Sequence, residues 1–278
     1  MKVAAIGDNV VDIYLDQQRM YLGGNALNFA NFATEFPDVQ SMYIGNFGND
    51  ELSVYIQQVL SNLSVDYQFS RILKGESGYS KVTLQNGDRV FVTSNRGGVL
   101  KKGIKLSEQA LERINQCDLV HFNINGNADD YLSKVQGPKI IYDYSDFSSL
   151  EHIQQTINQV DIACFSMGDA DEEKIQHLIN ELHKLTTNKQ LVILITRGNH
   201  GALASAAGEI YQQDAIAVDS VKDTMGAGDA FITAFSINLK RVESIPQALK
   251  AAGNYSAKQI QRNGSFDHGV AAPSRFLQ

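Results

Sequence analysis

Short, unbroken apolar runs punctuate this chain: KVAAIG near the start, then QSMYIG, DLVHF, KIIYDY, DIACF and LVILIT. They lack the apolar–polar alternation of a strand with one wet face, so both faces of each must be covered. Between them lie longer stretches with helical spacing. GGNALNFANFATEF sets Ala26, Phe29, Ala30 and Ala33 on one face, and DELSVYIQQVLSNL and DADEEKIQHLINELHKL follow the same period. Strands covered on both sides and alternating with helices require a mostly parallel sheet between two helical layers. Ligands in such sheets bind beyond the carboxyl ends of the strands. The residues that follow each apolar run therefore carry the functional information. The 278 residues suffice for one large domain of this α/β class, read here as spanning 1–278.

Two regions depart from that pattern. Residues about 10–22 and about 65–94 alternate with period two, and SGYSKVTLQNGDRVFVTS reads as two antiparallel strands joined at Asn86-Gly87. They predict a small accessory sheet placed as a lid on the α/β body. GALASAAGEIYQQ, Gly201 to Gln213, predicts a further hairpin.

Charge and composition narrow the partners. The net charge is −7, and the densest basic cluster is Lys101-Lys102 with Lys105, which argues against nucleic acid or an anionic membrane. No apolar run approaches the ~20 residues of a membrane span. Acids within MKVAAIGDNVVDIY argue against a signal peptide, so a cytoplasmic location is expected. Cys117 and Cys164 sit in strand-like runs and read as reduced, buried thiols.

The most informative stretch is DTMGAGDAF, Asp223 to Phe231. A glycine turn running into a helix presents backbone N–H groups and the positive end of the helix dipole, a ready phosphate site. Asp229 then sits in the first helical turn. A carboxylate beside a phosphate is costly, which suits a base taking a proton from an attacking hydroxyl. An aspartate capping a helix fits the same spacing.

DTMGAGDAF resembles the D-T-x-G-A-G-D signature of the PfkB (ribokinase-like) carbohydrate kinases. Gly23-Gly24-Asn25-Ala26-Leu27-Asn28 resembles that family's N-terminal glycine-pair signature, and the order of elements follows it along the whole chain. The resemblance implies a ribokinase-like fold: a mostly parallel central sheet, helices on both faces and a β lid. It implies Asp229 as catalytic base, with Gly226, Ala227 and Gly228 as the anion hole. Thr224 falls on the ATP side, joined by Thr196, Gly198 and Gly201 of LVILITRGNHGA. Asp12 of GDNVVD, Asp8, Gly23, Gly24 and Asn28 fall on the sugar side, although Asp8 also reads as a plain turn residue. Mg²⁺ and ATP are implied. The family's N-x-x-E is replaced by Ser166-x-x-Asp169, which leaves Asp169 as a water-mediated magnesium contact, while Asp171 to Glu173 read as a first helical turn. Asp223 is the position implied for a monovalent cation.

GDNVVDIY, YDYSD (Tyr142 to Asp146) and DTMGAGDAF together resemble the fructoselysine 6-kinases. A cationic fructosamine calls for carboxylates, and Asp12, Asp16, Glu76 and Asp146 lie in segments that could supply them. Arg96 reads either as a contact for an anionic group or as a solvated loop residue. His121 reads as pocket or core, and Asn123, Asn125 and Asn127 as pocket or turn. His177 and His183 do not share a metal-binding face. The competing functions are a kinase for a ketohexose, a sugar acid or a nucleoside, and a catalytically silent sugar-binding protein. An exposed lid edge would allow a homodimer.

Overall fold

The computed structural model describes residues 1–85, 88–96, 98–146 and 149–277. The chain opens with β1 (Lys2–Ile6), β2 (Val10–Tyr14), β3 (Arg19–Gly23) and α1 (Asn25–Ala33). Then come β4 (Gln40–Ile44), β5 (Asn46–Phe47), α2 (Glu51–Asn62) and β6 (Arg71–Ile72). A long antiparallel pair, β7 (Gly78–Gln85) and β8 (Asp88–Asn95), precedes α3 (Glu108–Ile114). In the second half a short 3-10 turn (Asp129–Lys134) links β9 (Leu119–Asn123) to β10 (Lys139–Asp143), and from β10 on strands and helices alternate: α4 (Leu150–Thr156), β11 (Ile162–Ser166), α5 (Glu172–Leu185) and β12 (Val192–Thr196). The hairpin of β13 (Ala202–Ala206) and β14 (Glu209–Gln213) follows, then α6 (Ala227–Val242), α7 (Ile245–Gln259) and β15 (Val270–Ala271).

Eight strands form the main sheet in the order β14-β13-β12-β11-β10-β9-β1-β4. The run from β12 to β4 is parallel, and the β13–β14 hairpin closes one edge antiparallel. Alternate residues of each strand enter opposite cores. Val3, Ala5, Leu119, Ile141, Cys164 and Leu194 pack with α1, α2, α6 and α7. Ala4, Ile6, Val120, Phe122, Ile140, Tyr142, Ala163, Phe165, Ile193 and Ile195 pack with α3, α4 and α5. This two-sided burial is why the apolar runs carry no polar alternation. Local signals fix the helix starts: Asp50, Ser107, Ser149 and Asp171 each accept a backbone N–H of the first turn. Asp171 is thus a cap, with Glu172 and Glu173 on the positive end of α5.

The second sheet has the order β15-β3-β2-β7-β8. It draws on residues 10–23 and 78–95, and it gains β15 from the far end of the chain. The span 65–77 contributes instead β6, which pairs with β5 apart from this sheet. A two-residue strand such as β15 is too short to show a period, so it carries no signature in the residues alone. The Asn86-Gly87 turn lies outside the described residues. Cys117 and Cys164 are free thiols. Among the described residues no helix is long and apolar enough to cross a membrane.

Candidate active site

The main sheet reverses direction of growth at β1, with β4 on one side and β9 on the other. In open α/β sheets ligands bind at such a switch point, in the crevice beyond the carboxyl ends of the strands, here β1 and β9. Asp8 leaves β1 directly into it. Its carboxylate accepts the Asn25 N–H at 3.3 Å, the Ala26 N–H at 3.2 Å and Asn123 Nδ2 at 3.0 Å. Asp8 therefore satisfies the first turn of α1 from a distance, because the N-cap residue Gly24 has no side chain to do it. Gly24 has φ 98°, and a Cβ there would lie 2.7 Å from Asn9 Cα.

With α1 fixed by Asp8, its first turn aims two amides across the crevice. Asn28 Nδ2 donates to Asp229 Oδ2 at 2.6 Å, and Asn25 Nδ2 to Asp229 Oδ1 at 3.1 Å. Asn25 Nδ2 also donates to Asp143 Oδ2, at the carboxyl end of β10. Asp143 is only 3% exposed, and its other oxygen accepts Ser145 N–H at 2.7 Å. Burial lifts its pKa to about 6, opposed by the Asn25 and Ser145 hydrogen bonds and assisted by the charges of Asp8 and Asp146.

A raised carboxylate pKa means the fold favours protonated Asp143. Its contribution to stability is full below the ordinary carboxylate range and is lost as pH rises through about 6. We expect the wild type to lose on the order of 2–3 kcal/mol relative to Asp143→Asn between about pH 4 and pH 7. Thermal melts of both proteins across that range check it; a pH-independent difference would remove the assignment.

Asp229 itself lies in the first turn of α6. The helix begins behind Gly226, whose φ of 73° is left-handed, and a Cβ at Gly226 would lie 2.8 Å from Ser265 Cβ. The Ala227 N–H turns back to Thr224 O at 3.2 Å. A Cβ at Gly228 would meet nothing within 4 Å, so its backbone is open to approach. The Gly228 N–H belongs to the first helical turn, whose N–H groups point out of the helix start.

The second sheet lies over this turn. Tyr14, Tyr21 and Val82 on its inner face cluster with Met225. Asp12, two residues before Tyr14, shares that face and is paired in register with Tyr21 and Ser80. Its carboxylate lies so close to Gly23 that a Cβ there would fall 2.1 Å from Asp12 Oδ2.

On the opposite flank, Ser166 and Thr196 are register partners at the ends of β11 and β12, with hydroxyls 3.4 Å apart. Gly198 follows, open around its Cβ position, and Asp169 is exposed in the loop after β11. At Gly201 a Cβ would fall 2.1 Å from Gln213 O, so this glycine lets the β13–β14 hairpin close. Helix α6 packs on α1 and also reaches β11 and β12, so Asp229 stands between the two flanks.

Other candidates lie elsewhere. Asp16, Glu76 and Asp146 are exposed, and Glu76 accepts Asn95 Nδ2 at 2.9 Å. Arg96 donates to Asn125 at the rim, and Asn127 Nδ2 donates to Leu100 O at 3.1 Å in a turn. His121 is a core residue: it stacks on Phe29 with centroids 4.6 Å apart, and burial drives its pKa down to about 3. Asn25 and Asp143 were missed as site residues. Asn25 and Asn28 are three apart on one helix and Asp143 is the acid that ends a buried strand, but neither pattern shows that these side chains meet.

The family description "pfkB family carbohydrate kinase" matches residues 2–268. The chain belongs to this family. Fructosamine kinase FrlD of Bacillus subtilis (strain 168) is 34% identical over 97% of this chain and 94% of its own length. Fructoselysine 6-kinase of Escherichia coli (strain K12) is 30% identical over 95% and 99%. Arabidopsis thaliana ribokinase, solved with ribose and ATP, superposes with a TM-score of 0.79 at 20% identity, over 99% of this chain and 96% of that one. The fold is therefore ribokinase-like, and this carbohydrate kinase is a sugar phosphotransferase.

Proposed function

We propose that this kinase transfers the γ-phosphoryl of ATP to the 6-hydroxyl of a fructosamine such as fructoselysine, with Asp229 as general base. The observation that carries the chemistry is the placement of Asp229. It stands in the first turn of α6 behind an open glycine backbone, and amides of the sugar-side helix α1 hold its two oxygens. The attacking hydroxyl gives its proton to Asp229 while first-turn N–H groups and the helix dipole hold the charge of the moving phosphoryl. Asp12, Gly23, Gly24 and Asn28 bind the sugar, with Asp8 fixing the helix that carries Asn28. Thr196, Gly198, Gly201 and Thr224 line the nucleotide side.

Mg²⁺ neutralises charge on the ATP phosphates when bound. Among the described residues no three His, Cys, Asp or Glu side chains gather to hold a metal. Mg²⁺ keeps several of its waters, and Asp169, exposed in the loop after β11, would reach it through one of them. The fructosamine assignment rests on the two relatives named above and on the buried carboxylates Asp12 and Asp143. The second sheet acts as the lid that excludes water. Its edge strand β8 exposes Phe91 and Val92, which supports pairing with a second copy; light scattering at twice the chain mass checks this. An ATP-consuming enzyme with free thiols belongs in the cytoplasm.

An ADP-release assay over fructoselysine, fructose, ribose, a sugar acid and adenosine tests the reading. Fructoselysine should give the highest kcat/KM. Turnover of fructose with none of fructoselysine would transfer the assignment to a ketohexose, and ligand binding without turnover would favour a silent sugar-binding protein.

A further inference from the structure

Asp223 opens the DTMGAGD segment, six residues before Asp229, and is fully buried. Three protein donors reach its carboxylate. Oδ1 accepts Met225 N–H at 2.9 Å, while Oδ2 accepts Gly264 N–H at 2.8 Å and the Tyr14 hydroxyl at 2.6 Å. The Tyr14 contact has the length of a charge-assisted O–H···O⁻ bond. Tyr14 is itself fully buried, and its ring meets Tyr21 edge-on with centroids 5.0 Å apart. It lies on β2, 209 residues away in sequence from Asp223.

A carboxylate offers roughly four lone-pair positions, and three here face protons. A monovalent cation at the same oxygens would be repelled by those polarised hydrogens and would have to displace one of them. The residues around Asp223 therefore do not fit the cation implied for this position. They fit another arrangement. Met225 N–H is held by Asp223, the next residue is the left-handed Gly226, and α6 starts immediately after it. The phenol on β2 is thus one hydrogen bond from the carboxylate that shapes the turn before Asp229.

We propose that Tyr14 is a positioning residue that, with Gly264, takes the place of a monovalent cation at Asp223 and ties the second sheet to the phosphoryl-holding turn. Activity then needs no particular monovalent cation, and movement of β2 is felt at Gly226. The proposal rests on the reading of residues 224–228 as the phosphoryl site.

The test compares wild type and Tyr14→Phe in potassium, sodium and tetramethylammonium chloride at equal ionic strength, using the sugar that the ADP-release panel identifies. Wild-type kcat should agree within about twofold across the salts, and calorimetric titration with KCl should give no binding heat beyond dilution. Tyr14→Phe should lower kcat about tenfold while the KM values for sugar and ATP stay within about threefold. A merely structural tyrosine would lower the melting temperature and leave kcat of the folded enzyme unchanged. Potassium stimulation of the wild type, a saturable potassium binding heat, or an unaltered kcat in Tyr14→Phe would each overturn the proposal. If no sugar is turned over, the functional reading fails, and the potassium titration still decides the cation.

Discussion

Asp229→Asn should lower kcat by about three orders of magnitude while the sugar KM stays within a few-fold. The substitution keeps the shape of the side chain and removes its capacity to take a proton. It does not touch Asp12 or Gly23, the sugar contacts proposed above, so sugar binding is expected to persist. One local adjustment is expected. Asn25 and Asn28 both present Nδ2 donors to Asp229, and an amide can accept from only one of them with its oxygen. That mismatch lowers the melting temperature by a few degrees at most, on the order of one neutral hydrogen bond. Steady-state kinetics with calorimetric sugar binding check the prediction. Near-normal kcat would remove Asp229 from the chemistry and leave it as a helix-turn residue.

Gly23→Ala should raise the sugar KM by about 100-fold and change kcat at saturation far less. The added methyl would sit 2.1 Å from Asp12 Oδ2 and 2.8 Å from Asp12 Cγ, so the carboxylate must swing away. Gly23 does not need its glycine for a left-handed backbone; the constraint is the close approach of Asp12. A carboxylate bound to two neighbouring sugar hydroxyls, the role proposed for Asp12, would lose both hydrogen bonds at once when displaced, which sets the size of the effect. Asp12→Asn should show the same pattern. Because both changes act on one contact, the double variant should be barely worse than either single one. Additive losses would mean that Gly23 acts on the sugar independently of Asp12.

Much of this was legible in the residues, for identifiable reasons. The main strands announced themselves because burial on two faces leaves an uninterrupted apolar run, as in LVILIT. The Asp229 turn was legible because its glycines and acid are contiguous. The contributions of Asn25 and Asp143 were not, because their meaning is tertiary. Asn25 and Asp143 are 118 residues apart in sequence and meet only when α1 is set over the end of β10. Asp8 shows the same limit: its three partners come from α1 and from β9. The share of the second sheet supplied by β15 was likewise hidden, since two residues carry no period. Asp16, Glu76 and Asp146 looked equivalent to Asp12 in the sequence, and only the fold separates the buried carboxylate from the exposed ones.

ATP-dependent phosphoryl transfer to a sugar hydroxyl leaves a phosphate ester on the sugar. Proton-coupled ³¹P NMR of the products from fructoselysine and Mg·ATP tests it most directly. A phosphomonoester resonance split by the methylene protons at C6 should appear in step with ADP. ADP accompanied only by inorganic phosphate, or ATP left intact in the presence of every sugar offered, would contradict it.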